Sequence, residues 1–289
     1  MGMKIKTICN LINTIIPNEG NIKNIVDGVD IFKITESQEH MKQCYEKGII
    51  FIFQGKKDVL REDSVLTYDS NNYLILSLPT NVECRVYATN AEPILGVRID
   101  ANQKIINEIL FDSDISFEYE EESKPGIYTE SLNDQLIDAL GRLINCIKNE
   151  QDSKVLSPLY IKEILYYVLK SPHGYALNFT SYYNDSYHKI SQIADSIYLN
   201  YKKKYDVDSL AKQANMSVSS FHSTFKEITG LPPIQYVKKI KLHKARELLT
   251  YNKTTVKSVA YDLGYESLSQ FNREYKRMFG ITPKSQSSV

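Results

Sequence analysis

Apolar positions along the 289-residue chain change their period after about residue 100. From about Val29 to Ile99 they come in short runs rich in β-branched and aromatic residues. These are GIIFIF (48–53), NYLILSL (72–78), VECRVYA (82–88) and PILGVRI (93–99), with QGKK (54–57) supplying a turn. Runs of this length, about ten residues apart and divided by Asp, Asn, Ser and Pro, predict a β-barrel or a two-sheet sandwich. After Asp100 the spacing becomes helical. Leu132, Leu136, Leu140, Leu143, Ile144 and Ile147 predict a helix over 131–148, with Ser131 and Asp134 as a capping pair. Ile161, Ile164, Leu165 and Val168 predict another over 157–171, with Pro158 in its first turn. The stripe Leu132, Leu136, Leu140, Leu143 and Ile147 is a candidate dimer seam, and packing on the barrel wall is its alternative. Residues 171–187 lose periodicity and carry Pro, Gly, Asn and Ser, as a linker does. Everything beyond them has helical spacing.

Within that helical third one pattern occurs twice. Leu210 and Ala211 recur as Val259 and Ala260, 49 residues on. Phe221, Phe225, Lys226, Gly230, Leu231 and Pro233 recur 50 residues on, as Phe271, Tyr275, Lys276, Gly280, Ile281 and Pro283. Two copies are too few for a solenoid, so each is a small unit: helix, tight turn, helix. In the first copy Asp208 is the expected cap of a helix burying Leu210, Ala211 and Ala214. Asn215 suits a left-handed turn, and Ser217 caps a helix burying Phe221, Phe225 and Ile228. In the second, Gly264 takes the turn, Ser267 the cap, and Phe271, Tyr275 and Phe279 the buried stripe. PIQYVKKIKLHKARELL (233–249) is a long basic helix between the copies. The expected class is therefore α+β in two domains: residues 1–170 (barrel about 29–100, helices about 101–170), a linker at 171–187, and an all-α domain at 188–289. The two helix-turn-helix units are expected at about 207–229 and 255–279.

Such units place their second helix in the major groove of DNA, which is wide enough to admit one. Opposite Phe221 lie Ser219, Ser223 and Lys226, with His222 on the flank. Opposite Phe271 lie Ser269, Gln270, Arg273, Lys276 and Arg277. These donor-rich sets suit base edges and phosphates. The Arg273 guanidinium can take both acceptors of a guanine, and a phosphate is its other partner.

Charge sharpens this picture. Lys+Arg and Asp+Glu both number 35, yet residues 187–289 hold 17 and 8, a net of +9, leaving −9 for the rest. That asymmetry fits a polyanion-binding module joined to one of another kind. No apolar run approaches the roughly 18 residues of a membrane span. The N-terminal stretch lacks a cleavage site, and Lys6 breaks a myristoylation signal. Cys9, Cys44, Cys84 and Cys146 are scattered, as reduced thiols in a cytoplasmic protein are. Residues 1–170 contain a single histidine, His40, and no nucleophile elbow, phosphate loop or acid pair. No enzyme, metal site or cofactor is expected.

The last hundred residues resemble the AraC/XylS family of bacterial transcription regulators. YVKKIKLHKARELL is similar to its linking helix, and SVAYDLGYESLSQFNREYKRMFGITP to its signature. The resemblance implies two helix-turn-helix subdomains reading adjacent major grooves, about 34–36 Å apart. It places base-reading positions on Ser219, His222, Ser223, Ser269, Gln270 and Arg273. Ser217, Lys226, Ser267, Lys276 and Arg277 are the accompanying phosphate candidates. Two departures stand out: the first recognition helix lacks the arginine or tryptophan some relatives carry, and the chain ends PKSQSSV without the usual aromatic-basic pair. The FIFQGKK hairpin, the YLILSLP strand and the LSPLYIKEILYYVL helix resemble the N-terminal domain of one branch of the family. That likeness implies a cupin-like barrel that senses a small molecule, dimerises, or both. The expected partners are double-stranded promoter DNA, a second copy of the chain, a small-molecule effector and RNA polymerase, in an activator that does not enter a membrane. The alternative is a regulator whose N-terminal domain only dimerises or meets a protein partner.

Overall fold

The computed structural model describes residues 2–60, 64–117, 126–178, 185–251 and 254–287. They form two compact units, one from residues 1–41, 46–78 and 82–181, the other from 182–289 with the short segments 42–45 and 79–81. Of the expected linker, residues 179–184 lie outside the described residues. Before them, Gly174–Leu177 is a turn of 3₁₀-helix.

In the first unit the strands are β1 (Gly20–Val26), β2 (Val29–Ile34), β3 (Gln38–Tyr45), β4 (Gly48–Gln54), β5 (Lys56–Leu60), β6 (Val65–Asp69), β7 (Asn72–Leu76), β8 (Thr80–Tyr87), β9 (Ile94–Ile99) and β10 (Ile127–Ser131). They assemble into two sheets, β1-β2-β9-β4-β7-β10 and β3-β8-β5-β6. The cupin-like domain is thus built as paired sheets, the sandwich form of the sequence expectation. The run GIIFIF becomes β4, hydrogen-bonded to β9 on one side and β7 on the other. Alternation along the pleat sends Ile49, Phe51 and Phe53 into the core shared with the helices and Ile50 and Ile52 to the opposite face. All five are buried.

QGKK is not a hairpin turn. β4 and β5 belong to different sheets, and Gly55 (φ 81°) carries the chain across. A Cβ there would sit 2.5 Å from Ile94 Cγ1, so the corner needs glycine for both its backbone region and its space.

The helices of this unit are α1 (Gly2–Ile15), α2 (Gln103–Asp112), α3 (Asp134–Cys146) and α4 (Glu150–Leu169). The sequence reading missed α1, whose Ile8, Cys9 and Ile12 are buried against the sheet and α3. Its apolar residues are interrupted by Asn and Thr, so no run was visible. Asn133, not Ser131, caps α3, its side chain accepting the Leu136 N–H at 2.9 Å. Ser131 instead ends β10, which pairs with β7. α4 begins eight residues before Pro158, capped by Asn149. Proline therefore sits inside the helix and does not open it. The proposed dimer seam is spent internally: Leu132, Leu136, Leu140 and Leu143 are buried in the unit's own core and Ile147 packs on it half-buried. Burying those leucines against the wall of their own domain leaves no apolar stripe on α3 for a second copy.

Arg98 is the main charged feature of this unit. Nearly buried, it reaches Asp30 at 2.8 Å, Glu46 at 2.9 Å and Asp100 at 2.5 Å. The Lys47 carbonyl takes a further bond at 3.2 Å. Burial raises the Asp100 carboxyl above its ordinary range, and the Arg98 charge opposes that. All four cysteines are free thiols.

Apart from the short segments 42–45 and 79–81, which belong to β3 and β8 and the turn before it, the second unit is helical: α5 (Asp185–Leu199), α6 (Val207–Gln213), α7 (Val218–Thr229), α8 (Pro233–Tyr251), α9 (Val256–Asp262), α10 (Leu268–Phe279) and α11 (Pro283–Gln286). No helix among the described residues is long and apolar enough to cross a membrane.

Candidate nucleic-acid interface

The two helix-turn-helix units, α6–α7 and α9–α10, repeat down to individual backbone bonds. In the first, Asn215 takes φ 54°, its N–H bonds the Lys212 carbonyl at 3.0 Å, and the Met216 N–H bonds that of Ala211 at 3.0 Å. In the second, Gly264 takes φ 79°, its N–H bonds Tyr261 at 2.8 Å, and the Tyr265 N–H bonds Ala260 at 3.0 Å. This left-handed closure satisfies the last carbonyls of each first helix and turns the chain sharply. Ser217 then caps α7 by accepting the Ser220 N–H at 3.2 Å, and Ser267 caps α10 by accepting the Gln270 N–H at 3.3 Å. Both helices stop at a left-handed glycine, Gly230 and Gly280. The cap of α6 falls on Asp206, not Asp208. Its carboxylate takes both the N–H and the hydroxyl of Ser209, at 2.8 and 2.9 Å, while Asp208 lies in the first turn.

Each second helix is seated by aromatic residues. Phe221 and Phe225 are fully buried, and Phe225 meets Tyr236 of α8 edge to face at 5.4 Å. In copy two, Phe271 and Tyr275 are fully buried and Phe279 half-buried. The linking helix α8 also grips the second copy through charge. Lys241 donates to the Leu263 carbonyl at 2.7 Å, closing the C-terminal end of α9, and Lys238 reaches Glu274 at 3.2 Å.

That seating determines what faces outward. On α7, Ser217, Ser219, His222, Ser223 and Lys226 are all exposed. The Ser223 hydroxyl leans back on the Ser220 and Ser219 carbonyls, at 3.0 and 3.2 Å, so it offers acceptor lone pairs outward. On α10, Ser267, Ser269, Arg273, Lys276 and Arg277 are exposed.

Gln270 differs. It is half-buried, and its Nε2 donates to Glu274 at 3.1 Å. A carboxylate only accepts, so Gln270 must turn its amide nitrogen inward. Glu274 is itself buried, taking further bonds from Lys238 and from the Tyr265 hydroxyl at 3.0 Å. Burial works to raise its carboxyl, but the bonds from Gln270, Lys238 and Tyr265, with the lysine charge, hold it below the ordinary range. Conversely, burial and the Glu274 charge push the Tyr265 hydroxyl upward.

The residue standing where copy one has His222 is Asn272, exposed on α10. The sequence reading overlooked it, although the 50-residue offset that pairs Ser219 with Ser269 and Ser223 with Arg273 would have pointed there. Asparagine is well matched to the acceptor and donor that adenine shows in the major groove. Among the described residues no group of His, Cys, Asp and Glu could hold a metal ion.

Two left-handed turns, two serine caps and two outward donor stripes on a basic helical unit are the parts of a double helix-turn-helix DNA reader, carried on the same chain as a two-sheet cupin-like domain. Comparison with known proteins agrees. The AraC-type transcriptional regulator N-terminus family matches residues 25–176, and a helix-turn-helix domain family matches residues 210–286. The chain belongs to the AraC/XylS family of DNA-binding transcription regulators. The HTH-type transcriptional activator RhaS of Escherichia coli is 32% identical over 77 residues, which are 27% of this chain and 28% of RhaS. The chain thus covers little more than a quarter of that relative's length. Over nearly the whole chain the fold is that of ToxT from Vibrio cholerae. An apo ToxT variant aligns with a TM-score of 0.65 at 13% identity, covering 94% of this chain and 98% of that one. An unsaturated fatty acid bound wild-type ToxT aligns with a TM-score of 0.59 at 14% identity, covering 93% and 95%. At such identities the likeness is one of fold.

Proposed function

We propose that this regulator activates transcription by laying α7 and α10 in successive major grooves on one face of a promoter. The repeated turn-and-cap geometry carries the reading, since it presents two exposed, carboxylate-poor stripes in the same way. Ser219, His222 and Ser223 are assigned to bases in one groove, and Ser269, Asn272 and Arg273 to bases in the next. Gln270, with its amide nitrogen turned to Glu274, keeps its carbonyl oxygen for a base donor. Lys226, Lys276 and Arg277 are assigned to phosphates, with the N-terminal N–H groups beside Ser217 and Ser267. The activator role follows the name of RhaS, and an activator of this kind would meet RNA polymerase. The N-terminal unit is assigned control of the reading, through a small-molecule effector, a second copy of the chain, or both. The fatty acid carried by one ToxT structure makes fatty acids the first effector class to screen.

The test is selection of duplexes from a random library by the full-length chain, followed by footprinting. Two protected patches about one helical turn apart are expected. Arg273→Ala should relax preference at one base pair, costing about 1–3 kcal/mol there. Uniform weakening on all sequences would return Arg273 to the phosphate backbone.

A further inference from the structure

At the front of α7, directly after the capping serine, stands Val218. It is 44% exposed, with the exposed Ser217 and Ser219 on either side. Part of it lines a shallow cleft with Ala211 and Met216, but helix formation does not call for it: a β-branched residue is a weaker helix former than Ala, and it adds nothing to the cap. Single exposed apolar residues are ordinary on protein surfaces, so position has to carry the argument. Val218 lies one helical turn before His222, at i, i+4, and so shares the flank assigned to base edges. The second copy supplies the control. There the corresponding residue is Leu268, also directly after the cap, but half-buried and packed on the core formed by Phe271 and Tyr275. The same place in the motif is therefore filled by an apolar side chain twice, and only in α7 does it stay outside.

The N-terminal residues of a recognition helix are those nearest the base edges. The major groove offers an apolar group at one base, the C5-methyl of thymine, which cytosine lacks. We infer that Val218 is a specificity-determining residue whose isopropyl group packs against a thymine methyl in the groove read by α7. This rests on the proposed docking of α7 in the major groove. It also explains how a helix lacking arginine can select a base: its serines, valine and histidine are short and read at close range. Removing one buried methyl corresponds to about a fourfold loss of affinity.

The experiment uses the full-length chain and the duplex it selects from a random library. Each thymine is replaced in turn by deoxyuridine, which removes the methyl and leaves the pairing edge unchanged. One replacement is expected to weaken the wild-type protein about fourfold. Val218→Ser and Val218→Ala should each bind the parent duplex more weakly by a similar factor and be indifferent to that replacement. Arg273→Ala should keep the sensitivity. Val218 is 44% exposed, so either truncation should shift the unfolding temperature by only a few degrees, and circular dichroism at the binding temperature should show both variants folded. The inference is overturned if no replacement weakens the wild type, or if the sensitive thymine matters equally to the Val218 variants. A wild-type protein that selects no sequence at all would fail the groove reading itself, a separate outcome.

Discussion

Glu274 sits on α10 between the outward stripe and the core of the second subdomain, and its three hydrogen-bond partners make it a junction. Its carboxyl is held below the ordinary range in the folded protein. It therefore contributes stability that is complete above the unfolded-state value and is lost as pH falls through the depressed folded value. Thermal unfolding followed from neutral to acid pH should show this loss on the acid side. Glu274→Gln should cost about 1–3 kcal/mol near neutrality, because Lys238 and Tyr265 lose a charged acceptor, and should flatten the acid limb. An unchanged limb would remove Glu274 from the junction. The same residue fixes which end of the Gln270 amide is left to face outward, which the sequence leaves open. A helical wheel places Gln270 between the stripe and the core, and only the buried carboxylate one turn later decides which way its amide turns.

Among the elements, the two turns invite the most direct comparison. Asn215 holds φ 54° where the second copy has Gly264. Asn215→Gly should be near neutral, whereas Asn215→Val should lose about 1–2 kcal/mol or more, since a β-branched residue resists the left-handed region. Chemical denaturation measures both, and equal stability of the two variants would show the turn relaxing into another geometry. These turns, the caps at Ser217 and Ser267 and the buried aromatic stripes were legible because they depend on residues within a few positions of one another. Strands β4, β7, β8 and β9 were legible for the same reason. What escaped was decided at a distance. α1 exists because the six-stranded sheet and α3 offer its scattered isoleucines a surface, and Gly55 turns a corner because its two strands find partners in different sheets. Pro158 looked like a helix start, but Asn149 upstream provides a better one. The leucine stripe of α3 was read correctly as a buried face, yet whether it meets a second copy or its own domain is settled only by the fold.

For the whole molecule, charge is the dominant property. The net +9 of residues 187–289 against −9 elsewhere concentrates attraction for a polyanion in one unit. If Lys226, Lys276 and Arg277 each neutralise one phosphate, log affinity should fall with log salt at a slope of about −2.7 per chain, and Lys276→Gln should make it shallower by about 0.9 without changing which sequence is preferred. Titrations at several salt concentrations decide this, and a flat response would contradict phosphate anchoring. α8 has a last consequence. It lends Tyr236 to one core and Lys238 and Lys241 to the other, so both reading heads are bolted to a single rod that rises about 1.5 Å per residue. On the proposed two-groove reading the rod acts as a gauge, and inserting one base pair between the half-sites, about 3.4 Å along the duplex, should weaken binding.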